Sequence, residues 1–290
     1  MTAPPDALSG DPTGRLAGPA TGLAAVRRVR IHHLQAAKQR GQRWAMLTAY
    51  DAQVARHLDE AGIPVLLVGD SVGTTVLGRA TTVGVSVAEM VLFGAAVAGA
   101  VRRALVVVDL PFGSYEAGPE QALATAVTIM ARTGAGAVKL EGGRSRVSSV
   151  AALVDAGIPV MGHVGFTPQR EHTLGGHRVQ GRGVDGDRVL ADAAALAGAG
   201  AFAVVLEMVP GAVAERVSRE LPVPVIGIGA GPGTDAQVLV WTDLAGLTTG
   251  PVPSFVRRYA ELGATLGEAA GRYAQEVAAG SFPGPGETFD

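Results

Sequence analysis

The stretch Val65-Leu66-Leu67-Val68-Gly69-Asp70-Ser71 has the pattern of a buried strand that is followed at once by polar side chains. Four consecutive branched apolar residues are typical of a strand that is buried on both faces, as in parallel sheets. Further apolar runs end in the same way, at Asp109, Glu141, His163 and Glu207. Polar groups at the carboxyl ends of parallel strands are typical of active sites on α/β folds.

Apolar runs of strand length recur along the whole chain. They predict strands at 44–48, 65–68, 105–108, 137–140, 159–162, 202–206, 225–228 and 237–241. Helical patterns separate nearly all of them, at 51–60, 86–99, 119–132, 146–155, 188–197 and 212–219, and two more helices are predicted at 254–262 and 266–279. A spacing of about 25–30 residues suits βα units. The order predicts an α/β fold, a closed (β/α)8 TIM barrel, with an open doubly wound sheet as the alternative.

The segments outside this pattern also carry expectations. Residues 1–25 are rich in Pro, Gly and Ala and are expected to form a disordered tail, so that 26–290 form a single barrel domain with C-terminal helices. A basic segment at 27–43 has a short helical pattern and is expected to cover one end of the fold. Two long loops are predicted, at 73–85 and 166–187, and loops of this length are often functional.

Composition limits the classes of function. The net charge of −2 gives no electrostatic reason to expect binding to nucleic acid or to an anionic membrane. The chain has no cysteine, which excludes disulfides, thiolate metal sites and a cysteine nucleophile and fits a reducing cytoplasm. It has no apolar stretch of about 18 residues, so we expect no membrane span. These features favour a cytoplasmic enzyme that acts on small molecules.

The carboxylates at the strand ends favour a metal site. Asp70 and Asp109 both follow buried strands, and such oxygen ligands suit Mg²⁺. Glu141 ends the next strand, and Lys139 lies two residues earlier, so both side chains point to the same side. Lys139 could neutralise the carboxylates or hold a substrate carboxylate beside the metal. In the alternative interpretation the aspartates cap helices and Lys139 forms a structural ion pair.

Glu207 and His163 are candidates for proton transfer or substrate contact. Glu207 follows Val204-Val205-Leu206, and apolar neighbours favour a raised pKa, which suits a general base near neutrality. His163 is flanked by Gly162 and Gly165, which would leave its ring room for a ligand. A structural role for either side chain is the alternative.

Two further motifs resemble known sites. Gly69-Asp-Ser-Val-Gly73 fits the serine hydrolase pattern Gly-x-Ser-x-Gly, but we expect a loop where that motif needs a helix, and no histidine follows His177. Gly227-Ile-Gly-Ala-Gly-Pro-Gly233 fails the strict dinucleotide pattern at its third glycine. We expect this glycine-rich loop to let a ligand approach the backbone.

A set of motifs spread along the chain resembles the ketopantoate hydroxymethyltransferase family. The motifs are Leu47-Thr-Ala-Tyr-Asp51, Leu67-Val-Gly-Asp-Ser71, Asp109-Leu-Pro-Phe112, Val138-Lys-Leu-Glu-Gly-Gly143, Gly162-His-Val-Gly165, Thr167-Pro-Gln169, Gly175-Gly176, Val179-Gln-Gly-Arg182, Leu206-Glu207 and Ile226-Gly-Ile-Gly-Ala-Gly231. Their order and spacing resemble the family from about Val29 to Phe289. Departures from its pattern occur at 82–85, Phe93 and Ala236, and none falls on a candidate site residue.

The resemblance implies a function and a set of roles. It implies a TIM barrel of the phosphoenolpyruvate/pyruvate-domain type, Mg²⁺, and a homodecamer of two pentameric rings. It implies transfer of a hydroxymethyl group from 5,10-methylenetetrahydrofolate to 3-methyl-2-oxobutanoate, the first committed step of pantothenate synthesis. The implied metal-associated residues are Asp70, Asp109 and Glu141. The implied substrate-binding residues are Asp70, Ser71, Asp109, Lys139 and His163, and the implied proton acceptor is Glu207.

Three other functions stay open on the sequence alone. A Mg²⁺-dependent lyase of the phosphoenolpyruvate/pyruvate group would use the same metal and an enolate but no folate. A serine hydrolase would use Ser71 and ignore chelators. A non-catalytic barrel subunit would need none of the polar strand ends.

Overall fold

Eight short apolar segments form parallel strands that close into a barrel in the computed structural model, which describes residues 22–289. The strands are β1 (Trp44–Thr48), β2 (Val65–Val68), β3 (Leu105–Asp109), β4 (Ala137–Glu141), β5 (Val160–Gly165), β6 (Ala203–Glu207), β7 (Val225–Ile228) and β8 (Ala236–Leu239). Each strand pairs with the next in the chain, and β8 pairs with β1. The closed barrel confirms the predicted fold and excludes the open sheet.

Helices occupy the connections between the strands. They are α1 (Ile31–Gln39), α2 (Ala52–Glu60), α3 (Val72–Thr75), α4 (Val87–Ala100), α5 (Pro119–Thr133), α6 (Val147–Asp155), α7 (Glu171–Leu174), α8 (Asp185–Gly198), α9 (Gly211–Glu220), α10 (Trp241–Leu244) and α11 (Leu262–Ala279). The predicted cap of α2 is confirmed, because Asp51 Oδ1 accepts hydrogen bonds from the backbone N–H groups of Gln53 and Val54.

Alternate residues of each strand enter two separate cores. In β2, Val65 and Leu67 pack inside the barrel, whereas Leu66 and Val68 pack against the surrounding helices. This is the period of two expected of a strand. Because both faces are covered by apolar side chains, β2 consists of apolar residues only, and β3 is apolar up to Asp109.

The amino-terminal end of the barrel is covered by α1. Leu34 and Ala37 of this helix are buried in the inner core, together with Val29 and Leu23. This confirms that the basic segment covers one end of the fold. The predicted tail at 1–25 lies mostly outside the described residues, which begin with a 3-10 helix at Gly22–Ala25, and its disorder stays a prediction.

The structure corrects the two predicted long loops. Helix α3 begins directly after Ser71, where the threonine- and glycine-rich composition predicted a loop. The segment 166–187 contains a 3-10 helix, Pro168–Arg170, and helix α7, and α8 already begins at Asp185. The composition did not predict these turns, because they have no apolar periodicity. Contacts with neighbouring elements hold their side chains instead.

The structure also corrects the last part of the chain. Residues 254–261 do not form the predicted helix, because their backbone bonds outside the segment: Tyr259 N donates to Leu244 O at 2.8 Å. Trp241 does not extend β8 but begins α10, and its backbone N–H donates to Thr48 Oγ1 at 3.0 Å. Tertiary hydrogen bonds therefore decide the local structure in both places.

Helix α11 is 18 residues long and has no buried residue. Its apolar side chains Leu262, Leu266, Tyr273 and Val277 are all exposed, and their spacing places them on one face. Among residues 22–289, no helix combines the length and the apolar composition that a bilayer crossing requires.

Candidate active site

The inward-facing residues at the carboxyl ends of β3 to β6 are polar. In β3 the inward positions are Leu105, Val107 and then Asp109, and in β6 they are Ala203, Val205 and then Glu207. The same alternation turns Lys139 and Glu141 of β4 and His163 of β5 inward. The apolar barrel interior therefore changes to a polar layer at the end where (β/α)8 barrels carry their active sites.

These side chains surround one small space, which we call the inner cavity, of about 100 Å³. All seven site residues predicted from the sequence line it: Asp70, Ser71, Asp109, Lys139, Glu141, His163 and Glu207. Its remaining lining is mostly apolar and includes Val205, Ile228 and Val240. The structure thus brings the whole predicted set together.

The carboxylate of Asp109 contacts both the ammonium group of Lys139 and the backbone N–H of Asp70. Its Oδ1 lies 2.8 Å from Lys139 Nζ, and its Oδ2 accepts a hydrogen bond from Asp70 N at 3.1 Å. The pairing of β3 with β4 sets Asp109 directly beside Lys139. Both side chains are at most 5% exposed, so the ion pair is screened little by solvent.

The surroundings of Asp70 have an excess of negative charge. Burial raises the pKa of Asp70, and the carboxylates of Glu141 and Asp109 raise it further, to about 8, against the opposing effects of Lys139 and a hydrogen bond from Gln169. A cation beside Asp70 would therefore favour its ionised form.

A second group of contacts links Glu141, His163 and Glu207. His163 Nδ1 lies 3.3 Å from Glu141 Oε1, and His163 Nε2 lies 3.2 Å from Glu207 Oε2. Burial and the Lys139 ammonium lower the pKa of His163, but the two carboxylates outweigh them and raise it to about 9. His163 is therefore cationic at neutral pH and lies between an inner and an outer carboxylate.

Ser71 contacts a tyrosine rather than a histidine. Its Oγ lies 2.7 Å from the hydroxyl of buried Tyr50. The expectation that a loop follows Ser71 was wrong, because α3 begins at Val72, so that objection to a serine hydrolase fails. The hydrolase interpretation is instead weakened by the absence, among the described residues, of a histidine hydrogen-bonded to Ser71.

The glycines that were expected to make room for ligands make room for the chain itself. A Cβ at Gly162 would lie 2.7 Å from Leu196 of α8, and one at Gly165 would lie 2.3 Å from Glu207 O. In the glycine-rich loop, a Cβ at Gly229 would lie 2.7 Å from Phe255. These positions therefore permit close packing of helix, strand and loop, and the two expectations about ligand access stay predictions.

Gln169 is a site residue that received no role in the sequence analysis. Its Nε2 donates to Asp70 Oδ2 at 2.9 Å and to Leu110 O at 3.0 Å, and its backbone N donates to Glu141 Oε2 at 3.0 Å. Its Oε1 accepts a hydrogen bond from the hydroxyl of buried Tyr115. The only signal in the sequence was its place in the motif Thr167-Pro-Gln169.

The adjacent carboxylates of Asp70 and Asp109 meet the chemical requirements of Mg²⁺. Within residues 22–289, no three His, Cys, Asp or Glu side chains are spaced to hold one ion. Both Glu141 oxygens already contact the chain, one at Gln169 N and one at His163. The same is true of Asp109, so these contacts do not exclude Glu141, which stays a predicted metal-associated residue. Adjacent Asp70 and Asp109 do fit, because Mg²⁺ is commonly bound by one or two carboxylates together with substrate and water.

Solved structures with the same fold include two enzymes of known name. One is phosphonopyruvate hydrolase in complex with oxalate and Mg²⁺, with a TM-score of 0.57 and 14% identity over 89% of this chain and 92% of that one. Another is 2,3-dimethylmalate lyase of the PEP mutase/isocitrate lyase superfamily, with a TM-score of 0.57 and 17% identity over 89% and 91% of the two chains. At this identity the likeness shows the fold alone, and it agrees with the closed (β/α)8 barrel.

Similarity in sequence is much stronger. The family model of ketopantoate hydroxymethyltransferase matches residues 28–285. The 3-methyl-2-oxobutanoate hydroxymethyltransferase of Saccharopolyspora erythraea is 60% identical over 97% of this chain and 96% of that protein, and the one of Leifsonia xyli is 58% identical over 91% and 95%. The chain therefore belongs to the ketopantoate hydroxymethyltransferase family and is an enzyme of the transferase class.

Proposed function

We propose that this enzyme transfers a hydroxymethyl group from 5,10-methylenetetrahydrofolate to 3-methyl-2-oxobutanoate, which gives ketopantoate for pantothenate synthesis. The observation that carries the proposal is the inner cavity, where two adjacent aspartates, a lysine and a Glu–His–Glu chain face one space of small-metabolite size. Membership of the family supports the same reaction.

Asp70 and Asp109 are the residues that would hold Mg²⁺. When bound there, Mg²⁺ supplies Lewis-acid polarisation of the oxo acid, which makes the proton on C3 more acidic. Glu141 is the third metal-associated carboxylate of this proposal, and its two oxygens also contact Gln169 N and His163. Lys139 and the Ser71 hydroxyl hold substrate oxygens and so fix the orientation of C3.

Glu207 removes the C3 proton in this proposal. It is the member of the Glu141–His163–Glu207 chain that also lines the open side of the site, and its side chain is 17% exposed. The cationic His163 contacts its carboxylate and holds it in place. The carbon nucleophile formed at C3 then bonds to the methylene carbon of the folate, and both C–N bonds of that carbon break. Water supplies the hydroxyl group, and the C3 proton and the second proton of the water restore the two N–H groups of the released tetrahydrofolate.

The experiment is an assay of ketopantoate formation from the two substrates with and without EDTA, combined with deuterium exchange at C3. We expect formation to stop in EDTA and Glu207→Gln to abolish exchange while Mg²⁺ binding persists. Exchange at the wild-type rate in Glu207→Gln would show that Glu207 is not the base. Cleavage of an oxo acid without folate would favour a lyase instead.

We further propose that the enzyme is a homo-oligomer, the decamer of two pentameric rings that the family resemblance implies. The apolar face of α11 supports this proposal, because its side chains stay exposed although the ring of Phe282 lies 5.3 Å from that of Tyr273. Leu266→Glu should reduce the mass measured by light scattering, and Gln275→Glu, on the opposite face of α11, should not. A cytoplasmic location stays a prediction from the sequence.

A further inference from the structure

A larger space opens from the inner cavity toward solvent at the carboxyl end of the barrel. This outer cavity has a volume of about 420 Å³, and four residues line both spaces: Ser71, Pro168, Glu207 and Val240. A molecule held in the outer cavity therefore faces both the proposed base and the molecule in the inner cavity. Whatever reacts with the oxo acid has to approach through it.

Two threonines that line the outer cavity each have a buried hydroxyl group with no hydrogen-bond partner among the described residues. The hydroxyl oxygens are Thr82 Oγ1 and Thr242 Oγ1, and both residues are 6% exposed. Other threonines of the same cavity do have partners: the hydroxyls of Thr74 and Thr75 donate to Ser71 O, and that of Thr248 donates to Asp243. Because an unpaired buried hydroxyl is unfavourable, a ligand that pairs with Thr82 and Thr242 gains affinity.

The charge of the lining decides between classes of ligand. The outer cavity presents the carboxyl groups of Glu171, Glu207 and Asp243 together with His177, and no lysine or arginine is among its described lining residues. Phosphate or carboxylate groups would be repelled here. A neutral ligand with N–H donors would be attracted.

The shape and the apolar part of the lining point to a flat ring. The rings of Phe166 and His177 lie 4.8 Å apart between centroids, with an interplanar angle of 33°, and both border the cavity. Leu247 and Pro253 add apolar surface. Such a wall favours a planar aromatic heterocycle, which can stack on it or pack against its edge.

We propose that the outer cavity binds the pterin ring of the one-carbon donor, with the Thr82 and Thr242 hydroxyls as hydrogen-bond partners of the ring, and that the anionic glutamate end projects away from it. The inference rests on the proposed function, since it takes the second substrate to be a folate. A hydroxyl can both donate and accept, so each threonine can pair with the amino, N–H or carbonyl groups of the pterin edge.

The first test uses Thr82→Val and Thr242→Val, which keep the side-chain shape and remove the hydroxyl. For each variant we expect KM for 5,10-methylenetetrahydrofolate, and Kd for tetrahydrofolate in equilibrium dialysis, to rise about 3- to 10-fold, the loss typical of one hydrogen bond. KM for the oxo acid and folate-independent exchange at C3 should stay within about 2-fold of wild type. Thr128→Val, on the exposed side of α5, is the control, because its hydroxyl donates only to Ala124 O.

The second test asks which end of the folate is bound. The ring alone, as 6-methyltetrahydropterin, should displace tetrahydrofolate from the wild-type enzyme, and p-aminobenzoylglutamate should not. The reverse order would overturn the assignment of the ring to this cavity, and so would an unchanged Kd in both threonine variants.

The two proposals fail separately. Ketopantoate formation by the wild-type enzyme with normal folate KM in both variants would overturn only the assignment of the outer cavity. Absence of ketopantoate formation would overturn the proposed function, and the dialysis measurements would still decide whether the cavity binds a pterin. No binding of tetrahydrofolate to the wild-type enzyme would overturn both.

Discussion

Gln169 Nε2 lies 2.9 Å from Asp70 Oδ2 and donates a hydrogen bond to it. The side-chain amide of Gln169 cannot rotate by 180° without the loss of hydrogen bonds, because its Oε1 accepts from the Tyr115 hydroxyl and its Nε2 also donates to Leu110 O. One oxygen of Asp70 is therefore held by the protein, and the carboxylate is fixed in orientation. Such partners of a metal-binding side chain set its direction and its basicity.

Replacement of Gln169 by methionine should weaken Mg²⁺ binding. Methionine fills a similar volume but cannot donate to Asp70, so we expect the Kd for Mg²⁺, measured by titration calorimetry, to rise roughly 10- to 100-fold. Gln53→Met, at an exposed position of α2, is the matched control. Unchanged affinity in Gln169→Met, with a normal circular dichroism spectrum, would remove Gln169 from the metal site.

The difference between Gln169 and the predicted residues shows what the sequence can reveal. Asp109, Lys139, Glu141 and Glu207 were found because strand parity and parallel order together fix both the face and the end of the barrel. Gln169 lies in a 3-10 turn, and its side chain reaches back to strands that are far away in the chain. A local sequence pattern does not reveal such a long-range contact. It also does not reveal the contact of Tyr115 with Gln169 or the unpaired hydroxyl group of Thr242.

The ion pair of Lys139 and Asp109 should make a large contribution to stability. Burial lowers the pKa of Lys139, but the Asp109, Glu141 and Asp70 carboxylates outweigh burial and raise it, so the lysine is charged. Lys139→Met leaves these carboxylates without a buried counter-charge, and we expect the free energy of unfolding in EDTA to fall by about 3–5 kcal/mol. Urea denaturation measures the change.

A double variant isolates the pair. Lys139→Met combined with Asp109→Asn removes both charges, so part of the loss should be recovered. If the two single effects simply add in the double variant, then Lys139 stabilises the fold through some other contact.

Asp59 should be important for stability although it lies far from the inner cavity. Its buried carboxylate accepts hydrogen bonds from the backbone N–H groups of Arg102, Arg103 and Ala104, at 2.7, 3.1 and 2.7 Å, and so fixes the entry into β3. Asp59→Ala leaves these donors without a partner, and we expect a loss of about 3 kcal/mol in the free energy of unfolding. Asp155→Ala, at an exposed position near the end of α6, should change it by less than about 0.5 kcal/mol. Equal effects of the two variants would contradict the assignment.

Glu89 should give α4 a stability that depends on pH. Hydrogen bonds from Arg79 and from the backbone and hydroxyl of Ser86 lower the pKa of Glu89 to about 2. Since the folded-state pKa lies below the unfolded value near 4.5, the stabilisation is complete above about pH 4.5 and is lost as the pH falls toward 2. Glu89→Gln should therefore lower the free energy of unfolding at pH 7 by about 0.5–1 kcal/mol, a small value because the pair is solvent-exposed.

The difference from wild type should shrink between pH 4.5 and 3 in urea denaturation, and Glu120→Gln, on the exposed first turn of α5, should show no comparable trend. A difference that stays constant from pH 7 to pH 3 would mean that the charge of Glu89 does not stabilise this helix.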